Sequence, residues 1–146
     1  MNLPHYNYLT SDFQAYEFYS EGPKGQLKKI VTFSLIQDEP TIYNLTLVDV
    51  NPISGLTSDL TVSDNGDRDI ILATVAYAVK DFSAHYGSHF IYVKGSTPVR
   101  TRLYQMGIAG LLEEISMDFD VYGVIEDTAH PFQKNVNYEA FLVKKK

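Results

Sequence analysis

Hydrophobic and polar positions follow a two-residue period over the first third of the chain and a helical period from residue 69 onward. Phe13 to Tyr19 reads as a strand, and Glu21-Gly22-Pro23-Lys24-Gly25 as the turn that ends it. In Leu27 to Gln37 the residues Leu27, Val31, Phe33 and Leu35 share one strand face, while Ile30 and Ile36 add apolar weight to the other. Asp38-Glu39-Pro40 turns the chain into a third strand, Ile42 to Val50, with Tyr43, Leu45 and Leu47 on one side. The short connections predict an antiparallel meander. Asn51 to Asp67 is polar and rich in turn residues, a loop with one short strand at Leu60 to Val62.

From Asp69 to Tyr86 the apolar positions Ile71, Leu72, Val75, Val79, Phe82 and Tyr86 fall on one helical face. Asp67 or Asp69 supplies a cap at its start and Gly87 stops it. Phe90 to Val93 is short, apolar and β-branched, as in a buried strand. A helix between two strands predicts a right-handed crossover and a parallel neighbour. Pro98 to Met117 reads as a second helix with Leu103, Met106, Leu111 and Ile115 inward. Gly107 and Gly110 each weaken it by about 1 kcal/mol relative to alanine, marking close packing or a break. Val121 to Glu126 and Tyr138 to Lys144 close the chain as strands. The expected fold is α+β: three antiparallel strands, helix, strand, helix and two closing strands. Both helices pack on a mixed sheet of about six strands within one domain spanning residues 1–146.

Composition narrows the function. A length of 146 residues supports one domain with a substantial core. Eleven tyrosines and eight phenylalanines, against no tryptophan, tilt the chain toward strands. The net charge of -6 opposes broad charge-driven binding to nucleic acid. No cysteine is present, which excludes disulfides, thiolate catalysis and cysteine-ligated zinc. No apolar run approaches the roughly 20 residues of a membrane span, and the first residues lack a secretion-signal pattern. These features together read as a cytoplasmic protein with no membrane partner.

The densest local signal is Gly95-Ser96-Thr97-Pro98-Val99-Arg100-Thr101-Arg102-Leu103-Tyr104, which leaves a strand and opens a helix. Gly95 frees the turn, Ser96 or Thr97 caps the helix, and Pro98 suits its first position. Cations belong at the other end of a helix, so Arg100 and Arg102 here point to a bound anion. The alternative is a well-capped helix whose arginines pair with surface carboxylates. Two residues apart, the arginines do not share a face. Around Gly66, the residues Asp64, Asn65, Asp67, Arg68 and Asp69 lack the alternating oxygen ligands of a calcium loop, and a turn before a capped helix accounts for them. His85 and His89 have metal-site spacing, but Gly87 lies between them and sends the rings apart. No nucleophile elbow, phosphate loop or dinucleotide fingerprint is present.

Two resemblances bear on the chain. Phe13-x-x-Tyr16-x-Phe18-x-Ser20-x-Gly22-Pro23-x-Gly25, Tyr43-Asn44-Leu45, Asn65-Gly66-Asp67 and the Gly95 to Tyr104 segment resemble an uncharacterised bacterial family of about this length, common in Bacteroidota. That resemblance implies one domain and no assigned activity. The element order resembles the core of the GCN5-related N-acetyltransferase fold, and Leu103-Tyr104-Gln105-Met106-Gly107-Ile108 is similar to its Leu-Tyr-x-x-x-Gly-Phe signature, one residue short. The resemblance implies that Tyr104 protonates a leaving coenzyme A thiolate. It also implies a pyrophosphate loop, Arg/Gln-x-x-Gly-x-Gly/Ala, before the first helix. Here that region is Asp64-Asn65-Gly66-Asp67-Arg68-Asp69-Ile70, with one glycine and three acidic residues that repel a pyrophosphate. The expectation is therefore no cofactor, with coenzyme A as the alternative.

Three functions follow as expectations. The first is a non-enzymatic binding or interaction module, with a protein partner, self-association or a small anionic ligand. The second is an acyltransferase-like enzyme or its relic, binding an acyl-coenzyme A or another phosphorylated ligand. In it Gly95, Ser96, Thr97, Arg100 and Arg102 hold an anion, Tyr104 is the acid, and Asp64, Asn65, Asp67 and Arg68 line the cleft. The third is a small toxin-like, RNA-directed factor using Lys94, Arg100 and Arg102, which the acidic balance opposes.

Overall fold

The computed structural model describes residues 1–58 and 66–146. Its strands are β1 (Ala15–Gly22), β2 (Gly25–Asp38), β3 (Thr41–Val50), β4 (Thr57–Ser58), β5 (Phe90–Val93), β6 (Phe119–Ile125), β7 (Thr128–Pro131) and β8 (Ala140–Lys145). Its helices are α1 (Arg68–Tyr86), α2 (Pro98–Gly110) and α3 (Leu112–Asp118). The strand expected at Leu60 to Val62 lies outside the described residues.

The sheet runs in the order β1-β2-β3-β5-β8-β6-β7, with β4 paired to β3. It is not closed into a barrel, and its one parallel contact among the described strands is β3 with β5. The meander β1-β2-β3 pairs antiparallel as the pattern predicts. Helix α1 is the crossover that makes β5 parallel to β3.

All three helices cover one sheet face. Tyr16, Phe18, Val31, Phe33, Leu45 and Ile91 are buried there with Val79 and Phe82 of α1 and Ile115 of α3. Phe82 organises the packing: its ring stacks on Phe33 at 4.2 Å and meets Tyr43 edge-on at 4.9 Å. Offset and edge contacts of this kind add to the area buried.

The chain's first residues lie along α1. The backbone N–H of Tyr6 donates to Thr74 Oγ1 at 2.9 Å, and the Tyr77 hydroxyl donates to the Met1 carbonyl at 3.2 Å. His5 stacks on Tyr77 at 3.7 Å and Phe13 on His85 at 3.5 Å. This segment covers the flank of α1 that the sheet leaves open. It also explains why Thr74 is fully buried in a helix: Oγ1 serves both Tyr6 and the Ile70 carbonyl.

Three expectations need correction. The second helix is two: α2 ends at Gly110, and α3 starts after Leu111. Met106 is not inward but 48% exposed, because the buried stripe of α2 runs through Arg100, Thr101 and Gly107. Polar and small residues on the inner face shift the apolar period away from it. The closing strands also include β7, paired to β6 across Glu126 and Asp127. Both residues have positive φ, 50° and 59°, as a tight hairpin turn requires. Neither is glycine, and β7 is exposed throughout, so neither turn chemistry nor alternation announced it.

Candidate functional site

The parallel strands part at their carboxyl ends. The last β3–β5 pair is Leu45 with Val93. Beyond it β3 continues to Val50, while the chain after Val93 leaves through Gly95 for α2.

Gly95 sets the geometry. A Cβ there would lie 2.4 Å from the Thr101 nitrogen, so the chain before α2 presses directly on its first turn. The glycine is required by this close approach. Thr97 is the N-cap: its Oγ1 accepts from the Arg100 N–H at 3.2 Å, and Pro98 opens the helix.

The two arginines diverge, as their spacing requires. Arg102 is exposed, whereas Arg100 is 8% exposed and turns inward. Its Nη2 lies 3.9 Å from Asp49 Oδ2, and Asp49 Oδ1 pairs with the buried Lys29. The helix is capped as expected, and the carboxylate that Arg100 approaches is a largely buried one on β3. A carboxylate on β3 holds Arg100 at the parting of the strands.

Two hollows flank this point. A cleft of about 120 Å³ is lined by Asn44, Leu45, Thr46 and Leu47 of β3 with Lys94, Ser96, Arg100 and Tyr104. A larger one of about 710 Å³ lies outside it, lined by Lys94, Gly95, Ser96, Thr97 and Arg102 together with Asn137, Tyr138 and Glu139. The Asn137 to Glu139 segment is brought there by α2: the Tyr138 N–H donates to Gln105 Oε1 at 3.2 Å, and Gln105 Nε2 donates to the Val136 carbonyl.

Beneath Tyr104 is a cavity of about 80 Å³ between the helices and the sheet. Apart from Tyr104, its lining is entirely hydrocarbon and phenyl, including Leu45, Leu47, Ala76 and Ile108. Sequence reasoning missed it, because no local pattern reports a packing gap.

Asp67 and Arg68 line a separate hollow at the start of α1, with Gly66, Asp69 and Ile70. They do not share the cleft with Arg100 and Tyr104. Asp64 and Asn65 lie outside the described residues. Asp67 stands at the N-cap of α1, yet its side chain makes no cap bond. It turns to β1 and the segment before it instead: Oδ2 accepts from Ser20 Oγ and from Tyr6 Oη, both at 2.5 Å. Asp67 Oδ1 is buried without a hydrogen-bond partner among the described residues. Burial, reinforced by the Asp67 hydrogen bond, raises the Tyr6 pKa, so the phenol keeps its proton. His85 and His89 serve packing: His85 stacks on Phe13, and His89 Nε2 bonds the Tyr86 carbonyl at 3.0 Å.

No helix among the described residues is long and apolar enough to cross a membrane. No curated protein and no solved structure gives a significant match to the chain. One family model does, over residues 2–146, and on that match the chain belongs to a family of unknown function (DUF6934).

Proposed function

We propose that the protein is a binding module that holds a small anion at the carboxyl ends of β3 and β5. The observation that carries this reading is Arg100. It lies 3.9 Å from Asp49 at the mouth of a cleft whose wall also holds Lys94 and Ser96. A guanidinium suits carboxylate or phosphate groups. The same surface serves a protein partner or a second copy if the anion is a side chain. We assign the protein to the cytoplasm, where a chain without cysteine forgoes nothing by lacking disulfides.

Thermal unfolding against acetate, sulfate, phosphate, pyrophosphate, ATP, coenzyme A and acetyl-coenzyme A tests the reading. A ligand at 100 times its Kd stabilises by about 2.7 kcal/mol, several degrees for a domain of this size. The shift should shrink in Lys94→Gln, whose side chain is exposed and whose loss spares the core. An unchanged melting temperature across the panel would overturn the proposal.

A second reading, an acyltransferase-like enzyme or its relic, is favoured by Tyr104, which lines the cleft beside Arg100 and Ser96. The parallel β3–β5 pair between helix starts supports it as well. The acidic lining weighs against coenzyme A itself. Where the resemblance requires a pyrophosphate, at the start of α1, the hollow is lined by Asp67 and Asp69, and the buried Asp67 oxygen repels an anion. Acyl transfer abolished by Tyr104→Phe would favour this reading over simple binding.

A further inference from the structure

The charged cleft and the apolar cavity are adjoining spaces. Leu45, Leu47 and Tyr104 line both, so the Tyr104 ring and the two leucines form the boundary between them. On the cleft side stand Lys94, Ser96 and Arg100. On the other side lie α1 and α2, which touch where a Cβ on Gly107 would meet Leu72. Polar groups at one end and hydrocarbon at the other is the layout of a site for a small amphipathic molecule. A hydrocarbon space that offers water no polar partner disfavours it and accepts apolar groups.

We infer that the two spaces form one site, which takes an anion carrying an aliphatic tail of about three or four carbons. The inference rests on the anion-binding reading above and adds the tail to it. The head, a carboxylate or a phosphate, lies against Arg100 and Lys94. The tail passes Tyr104 and fills the cavity of about 80 Å³ under Ala76. Tyr104 is then a specificity-determining residue, its ring a movable wall between head and tail.

The test is a titration followed by isothermal calorimetry or amide NMR, with two series: straight-chain carboxylates from acetate to hexanoate, and alkyl phosphates from ethyl to pentyl. Inorganic phosphate is the control for the head alone. Affinity is expected to rise about fourfold per added methylene and to level off once the cavity is full. The series that shows the rise identifies the head. Ala76→Leu, which fills the cavity from α1, should flatten the rise and leave acetate or phosphate affinity unchanged. If Ala76→Leu does not fold, Ala76→Val should move the plateau to a shorter chain. Anion binding without chain-length dependence in the wild type would overturn the tail site and leave the anion site standing. A rise that persists unchanged in the Ala76 variants would also overturn it. Binding of no anion at all would overturn both.

Discussion

The Gly95 N–H donates to the Thr101 hydroxyl at 3.0 Å, and a Cβ on Gly95 would lie 2.4 Å from the Thr101 nitrogen. The end of β5 and the first turn of α2 are therefore joined by a hydrogen bond that only glycine allows. This contact sets where α2 begins, and with it the direction of Arg100.

Gly95→Ala should consequently cost about 1–3 kcal/mol, the range for overpacking against backbone that cannot yield. Thr101→Val should cost a similar amount, by leaving the buried Gly95 N–H without its acceptor. Urea denaturation reads both. If Gly95→Ala is as stable as the wild type, the contact is looser than its geometry indicates.

Asp49 joins Lys29 of β2 to Arg100 of α2. Lys29 and Arg100 are both more than nine-tenths buried, so removing the carboxylate leaves two cations in a poorly solvated place. Asp49→Asn should destabilise by about 3–5 kcal/mol and lower anion affinity through misplacement of Arg100. A loss below about 1 kcal/mol would mark the pair as solvent-screened.

Three tyrosines predict the alkaline limb of stability. Burial raises the pKa of Tyr6, Tyr8 and Tyr16 above the ordinary value of 10.0. Up to about pH 10 the folded and unfolded chains both keep these protons, and the contribution is complete. Above it the unfolded chain releases them first, so stability falls as pH rises. Melting temperature should start to fall near pH 10 and keep falling as pH rises toward the raised folded-state values. Absorbance at the phenolate band should show these tyrosines titrating late in the folded protein. Tyr16→Phe should soften the drop, since the Tyr16 hydroxyl has one partner to lose, the Phe13 carbonyl at 2.9 Å.

The glycines of α2 should behave differently from one another. A Cβ on Gly110 meets nothing within 4 Å, so Gly110→Ala should stabilise by up to about 1 kcal/mol through helix propensity. A Cβ on Gly107 would lie 1.7 Å from the Leu72 Cδ1. Leu72 borders the apolar cavity and can move into it. Gly107→Ala should then be nearly neutral in stability, within about 1 kcal/mol, while shortening the longest tail the cavity accepts. Chemical denaturation of both variants, with the alkyl series on the second, checks these outcomes.

Local features of the chain accounted for much of this. The alternation in Leu27 to Gln37 and Ile42 to Val50 gave the meander. The helical period after Asp69 gave α1, and the crossover rule gave a parallel β5. Thr97 and Pro98 announced the start of α2 because capping is decided within four residues. The spacing of Arg100 and Arg102 announced that they diverge.

What only the tertiary structure decided is how these parts face one another. Arg100 points inward because Asp49, 51 positions earlier, lies on the neighbouring strand to receive it. Asp67 abandons its expected cap because Ser20 and Tyr6 reach it. The first residues found a place because α1 has a second flank to cover. The cavity under Tyr104 exists because thirteen side chains from separate elements fall short of filling one space. Periodicity and capping depend on residues a few positions apart, so a single chain records them. Pair partners and packing gaps depend on distances between elements, which are settled only when the sheet and helices close on one another.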